Sequence, residues 1–391
     1  MVPRDRILEL QERGYRRLAE QLGWEPDPVA THRRLALPPT PLDVCAAEKF
    51  REAVAGQADL SPQQWHDFDQ TVRAIFERYT DSVMPTSYED PNTYRLMSMM
   101  FDGLQNALIC RGKALVPPPL FATLPSGDAN ARVVQSQKSR VPIILFEQGL
   151  FPFLAGFARI ISWATPPLTL AQTLDDRALY KLTTRYTMPF ETSSSLLEFL
   201  ISYVVNSAPA ALPAPGHNRV AEMSLLGGMQ RFIMAHELAH IRLGHLASPP
   251  NQDHEFAADV GGIEHLLMTL SDTGDSWAMG VWSVNAALLA LHYLYNTIGI
   301  LEYGVRDFEW TSVTHPSPQM RREYIRKWWT REKVPCRAIV AANKLCSMTQ
   351  SQLKRLFDFI IRPCLLEAHN GGARPSPLWK DSLTHCFTAR S

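Results

Sequence analysis

His236-Glu237-Leu238-Ala239-His240 places two imidazoles four positions apart, with a carboxylate beside the first. On a helix, side chains at that spacing leave from one face about a turn apart, so both nitrogens can reach a single ion. Imidazole pairs that leave a coordination position open are the usual ligands of Zn2+. Glu237 then stands next to a ligand, where it can act as general base toward a water whose pKa the metal lowers to about 7. Five of the twelve histidines fall between His236 and His265, which sets this stretch apart from the rest of the chain.

Two histidines do not complete a site. Glu255-Phe256-Ala257-Ala258-Asp259 offers Glu255 as the third ligand. Phe256, Val260, Ile263, Leu267 and Leu270 make one apolar helical stripe, which puts Glu255 and Asp259 together on an adjoining face. Ala258, Gly261 and Gly262 are small enough to let this helix approach the histidine helix closely. Asp259 is then placed to hydrogen-bond a ligand histidine and select its tautomer. A third ligand of the metzincin kind needs a glycine and a histidine where Leu243 and Leu246 stand, and His245 is one place out of register. His245 and His254 remain competing ligand candidates.

The elements that must position these groups are mostly helical. Residues 229–243 read as a helix seated by Phe232, Ala235, Ala239 and Leu243 and ended by Gly244. Upstream, 5–22, 61–78 and 93–110 have amphipathic helical spacing, with proline-rich breaks at 38–41 and 117–119. The character changes at 131–135 and 141–146, two short β-rich runs that suggest a hairpin. Helices are expected at 148–161 and 193–205, and a Pro/Ala-rich linker at 207–216. Residues 276–301 contain no Asp, Glu, Lys or Arg and are long enough to span a bilayer. Their Asn285, His292 and Asn296 favour a buried core helix instead, because amides in lipid are costly. The expected fold class is α+β, predominantly helical. A helical N-terminal domain (1–125) precedes a zincin-like metallopeptidase core (126–330) and a helical C-terminal extension (331–391).

Composition narrows the partners. The chain is 46% apolar and 20% charged, with a formal net charge of zero. That balance argues against nucleic-acid binding, which needs a positive field, and is compatible with a protein or peptide substrate. The six cysteines form no Cys-x-x-Cys pair, so neither a thiolate metal site nor a dense disulfide framework is expected. The first residues run straight into charge without an apolar leader. Together these features favour a cytoplasmic protein that engages no membrane; its oligomeric state is left open.

The motifs resemble the gluzincin clan of zinc metallopeptidases. The 236–240 motif, the following Leu243-Gly244-His245 and the Glu255-x-x-Ala258-Asp259 segment are similar to the soluble ImmA/IrrE-type peptidases and to the CaaX-protease/HtpX type. His315-Pro316 and Arg321 resemble the His-Pro-x-x-x-x-Arg element of the second group. The resemblance implies that His315 or Arg321 stabilises an oxyanion. It also implies that 141–146 is an edge strand pairing with an extended substrate. Phage-exclusion peptidases of the Lit type share the plan of a zincin core with extensions. The chain departs from the CaaX-protease type in having fourteen residues between His240 and Glu255, closer to the ImmA/IrrE spacing. The resemblance implies a zinc endopeptidase. The rival readings are a zinc-bearing sensor or binding module without activity, and a helical interaction protein with structural histidines.

Overall fold

The computed structural model describes residues 3–22, 91–124, 129–135, 141–166, 190–206, 219–270, 274–306, 314–329 and 336–379, with a few single positions between them. The fold is predominantly helical around one small sheet. Helix α1 is Pro3–Leu22 and α2 is Pro91–Cys110; strands β1 (Leu120–Leu124), β2 (Ala131–Gln135) and β3 (Pro142–Glu147) follow. Next come α3 (Leu150–Ala164), α4 (Phe190–Asn206), α5 (Arg219–Arg242) and α6 (Gln252–Met268). The long α7 (Gly274–Tyr303), α8 (Pro318–Trp329) and α9 (Cys336–Leu356) complete the core. A π turn over Phe357–Ile361 leads from α9 into α10 (Arg362–Asn370). The helices expected at 5–22, 93–110, 148–161 and 193–205 are therefore present within a few residues of their expected ends. The helix at 61–78 lies largely, and the linker at 207–216 wholly, outside the described residues.

The sheet has the order β1-β3-β2. β2 runs antiparallel to β3, Ala131 opposite Phe146 and Gln135 opposite Pro142, as the two β-rich runs suggested. β1 adds a parallel neighbour on the other side, Leu120 opposite Ile143. Residues 141–146 are thus not an edge strand: β3 has a partner on each side, and every residue of it is buried. Its composition matches that burial of both faces. A strand covered on both faces reads as a continuous apolar run, and Pro-Ile-Ile-Leu-Phe alternates between two cores. Ile143 and Leu145 meet Ile7 of α1, while Ile144 and Phe146 join the main core. Of the two edge strands β1 is mostly buried and β2 only half-buried, and β2 lies beside α5 and the short 3-10 turn His245–Ala247. Glu89 ties α1 to β1: it accepts from Gln11 Nε2 at 2.6 Å and from Thr123 Oγ1 at 2.6 Å.

α7 is the spine of the main core. Apolar on all sides, it is covered by α3, α4, α5, α6, α8, α9 and α10, and 83% of its most apolar 18-residue window is buried. That is the packing of a core helix, as residues 276–301 predicted; a surface helix keeps a polar face. Against α7 lies α5, which buries Met229, Phe232, Met234, Ala235, Leu238 and Ala239. The chain leaves α5 through Gly244, whose φ of 71° is the left-handed conformation glycine adopts freely at helix ends. It re-enters α6 at a cap in which Asn251 Oδ1 accepts from His254 N at 3.0 Å.

This short return lays α6 against α5, and glycines set their separation. A Cβ on Gly262 would lie 3.0 Å from His236 Cα, and one on Gly261 would lie 2.8 Å from the Ala239 Cβ. Gly262→Ala is therefore expected to destabilise the protein by about 1–3 kcal/mol, as overpacking against backbone does. Gly103→Ala, on the solvent side of α2 with no heavy atom within 4 Å of the new methyl, should be neutral or stabilising by up to about 1 kcal/mol. Equilibrium urea unfolding of the two variants checks this; equal midpoints would mean that the helices separate at no cost.

Candidate metal centre

The close contact of α5 and α6 brings His236 and His240 of one helix onto Glu255 of the other. Their donor atoms form a compact triangle. His236 Nε2 and His240 Nε2 are 3.1 Å apart, His236 Nε2 is 3.4 Å from Glu255 Oε2, and His240 Nε2 is 3.5 Å from Glu255 Oε1. His236 and Glu255 are buried and His240 is partly so. This group can hold a metal ion, and among the described residues it is the one cluster of three or more such side chains that can.

Each histidine is oriented through its other nitrogen. His236 Nδ1 lies 3.0 Å from Asp259 Oδ1. A proton shared there leaves Nε2 with its lone pair toward the triangle. His240 Nδ1 lies 3.0 Å from His245 Nδ1, and donation from His240 to His245 does the same for the second imidazole. His245 in turn stacks on His254, ring centroids 4.3 Å apart and planes within 7°. The two histidines that competed as ligands therefore stand behind His240 and outside the donor triangle.

Asp259 is fully buried, and its charge is met by Arg321 from α8. Arg321 Nε donates to Asp259 Oδ2 at 2.8 Å and Nη2 to Oδ1 at 2.5 Å, a two-pronged pair. Arg321 Nη1 also comes within 3.9 Å of Glu255 Oε2. Phe256 stacks on Tyr324 with centroids 4.5 Å apart, which seats α8 on α6 and brings the guanidinium to the carboxylate. His315 enters from the loop before α8. Its Nε2 is 3.5 Å from Glu255 Oε1, while Nδ1 is held by Thr314 Oγ1 at 2.7 Å.

Three carboxylates and one guanidinium converge here, a balance that draws positive charge. Burial alone would lower the His236 pKa, but its hydrogen bonds to Asp259 and Glu255 outweigh this and raise it to about 9. The surroundings that hold a proton at that spot also favour a cation. Burial, reinforced by the charge on His236, takes His240 down to about 3, so it stays a neutral donor. Burial works to raise the pKa of Glu255 and Asp259, yet both stay below the usual carboxylate range. For Glu255 the opposing causes are the hydrogen bond and charge of His236; for Asp259 the first is Arg321. For Glu237 burial wins: it pushes the carboxyl up to about 7, and the charges of His236 and Arg321 oppose this without offsetting it.

All seven residues singled out in the sequence thus come together: His236, Glu237, His240, Glu255, Asp259, His315 and Arg321. Sequence reasoning missed the parts that hold the loop. Gln252 Nε2 donates to the Ser312 carbonyl at 2.7 Å, and Ser312 Oγ accepts from the backbone N–H of Thr314 and of His315, each at 3.2 Å. The first of these contacts joins positions sixty apart, so no local pattern announces it; a serine three residues before His315 was the sole hint of a turn. No family model matches this chain, and no curated protein or solved structure is detectably similar to it.

The Arg321–Asp259–His236 chain predicts that orientation, rather than charge alone, sets metal affinity. Arg321→Lys keeps the charge and loses the fork, and is expected to weaken binding of a divalent ion about 10-fold to 100-fold. Competition of Co2+ or Zn2+ against a chromophoric chelator reads this directly; an unchanged affinity would leave Arg321 a purely structural residue.

Proposed function

We propose that this protein is a zinc-dependent endopeptidase of gluzincin type, with Glu237 as the general base. The observation that carries the reading is the donor triangle. A tetrahedral zinc with bonds of about 2.0–2.1 Å to nitrogen or oxygen needs ligand atoms about 3.3 Å apart. The observed edges of 3.1, 3.4 and 3.5 Å fit that requirement. Two imidazoles and one carboxylate are also the ligand chemistry of catalytic sites that keep a fourth position open.

His236, His240 and Glu255 would hold the ion. When bound, zinc supplies Lewis acidity, polarising a carbonyl and lowering the pKa of a water to about 7. The remaining roles belong to the chain. Glu237, adjacent to a ligand and buried, takes a proton from the attacking water on a carboxylate oxygen and returns it to the leaving amide nitrogen. His315 is the better placed donor toward an oxyanion: Thr314 holds its Nδ1, and its Nε2 faces the site. Arg321 is engaged by Asp259 and serves as the positioning residue for His236. The half-buried edge strand β2, beside α5 and the 245–247 turn, suits an extended peptide that adds as a further strand.

Metal content and turnover together test the proposal. The purified protein is expected to hold about one zinc per chain, and His236→Ala and Glu255→Ala to lose it. Glu237→Gln should retain the zinc yet cleave a peptide library at least about 100-fold more slowly, as loss of a general base does. Mass spectrometry of the products reads the cleavage. A Glu237→Gln protein that matches the parent would convert the site into a sensor or binding module, and absence of zinc from the parent would remove the metallopeptidase reading altogether.

A further inference from the structure

On the side of α8 that carries Arg322 rather than Arg321 lies a second polar site. A cavity of about 90 Å3 opens between α7, α8 and α9, walled on its apolar side by Val284, Leu288, Ile325 and Trp329. That is room for several waters or one small anion. Arg322 and Arg326, one helical turn apart, both line it, and Asn343 and Ser347 of α9 line it as well.

The partners of Arg322 are unusual for a partly buried guanidinium. Nε donates to Asn285 Oδ1 at 2.6 Å, Nη1 to Gln319 Oε1 at 3.1 Å and Nη2 to Gln350 Oε1 at 2.9 Å. All three acceptors are neutral amides. Of the five N–H groups a guanidinium carries, two remain, and no carboxylate among the described residues forms an ion pair with it. Arg321, its neighbour in sequence, is neutralised by both oxygens of Asp259. Buried charges are ordinarily paired in that second way.

Among the described residues the wall of the cavity does not provide the missing charge. Burial pushes the Cys346 thiol up to about 12, so it stays neutral. Among the described residues Glu323 is the one carboxylate in the lining; it is exposed, and its Oε1 accepts from Gln319 at 2.7 Å. Set against it are two guanidinium groups, so the described lining carries a net positive charge.

We propose that this cavity binds a small oxyanion, phosphate-like or carboxylate, between Arg322 and Arg326, with the Asn343 amide and the Ser347 hydroxyl as neutral donors. With Asn285, Gln319 and Gln350 each taking one N–H of Arg322, one N–H is left on each Nη, a pair suited to a planar or tetrahedral oxyanion. Nothing in this site depends on the metal reading, since its side chains are separate from the donor triangle.

Calorimetric titration of the full-length protein with inorganic phosphate, and separately with acetate, tests the assignment at constant ionic strength in chloride. Each titration is run with the metal present and after chelator treatment. Saturable binding of at least one anion is expected, unchanged by chelation. Tighter phosphate would indicate a phosphorylated ligand, and tighter acetate a carboxylate. Arg326→Gln alters an exposed side chain, so it should fold normally by circular dichroism while weakening the anion at least tenfold. Glu323→Gln, which removes the competing carboxylate, should tighten it severalfold. The proposal is overturned if neither anion binds saturably, or if a folded Arg326→Gln protein binds with the parent's affinity.

Discussion

One buried carboxylate holds the centre of this molecule together. Asp259 belongs to α6, accepts from His236 on α5 and pairs with Arg321 on α8. Two neighbouring helices and a third some fifty residues further on therefore meet on two oxygen atoms. A fully buried charge is tolerated only when it is paired and hydrogen-bonded, and removing one partner of such a pair typically costs about 3–5 kcal/mol. The same contact decides chemistry. By engaging Nδ1 of His236, Asp259 turns Nε2 toward His240 and Glu255, so fold and donor geometry rest on one interaction.

The close approach of α5 and α6 is the condition for that contact. Gly262 faces the His236 backbone and Gly261 the Ala239 methyl, each at a distance where a side chain would intrude. At this separation Glu255 reaches both histidines from the neighbouring helix. The turn through Gly244 and the Asn251 cap keep the connection short enough for the two helices to remain neighbours. α7 supplies the apolar wall behind them. α8 lies across α7 and presents consecutive arginines to different surroundings, Arg321 to a carboxylate and Arg322 to neutral amides.

Much of this was legible in residue spacing. The pair at 236 and 240, the Glu255/Asp259 face and the small residues at 258, 261 and 262 are local patterns, and a helix converts such patterns into faces without further information. The apolar run at 276–301 likewise announced a core helix, because a stretch without charge has nowhere to go but inward or into lipid. The β-rich runs announced their antiparallel pairing. They did not announce that β1 joins on the far side of β3, since an apolar run reads alike in an edge strand and in a strand covered on both faces. The loop contact of Gln252 with Ser312 and the stacking of His245 on His254 were equally invisible. Each depends on where two segments lie in space, and neither residue type is committed to a partner by its neighbours.

By itself, then, the sequence determined which side chains share a helical face: His236 with His240, and Glu255 with Asp259. It also determined which helices are apolar enough to be buried, because periodicity and composition are properties of the chain alone. Only the tertiary structure decided how those faces meet. It set the donor atoms 3.1–3.5 Å apart, gave Arg321 to Asp259, placed His245 behind His240, and left Arg322 among amides beside a cavity. Apart from the local contact of His245 with His240, these outcomes follow from the packing of separate helices, where a shift of an ångström exchanges one hydrogen-bond partner for another. No local pattern in a sequence specifies distances that fine.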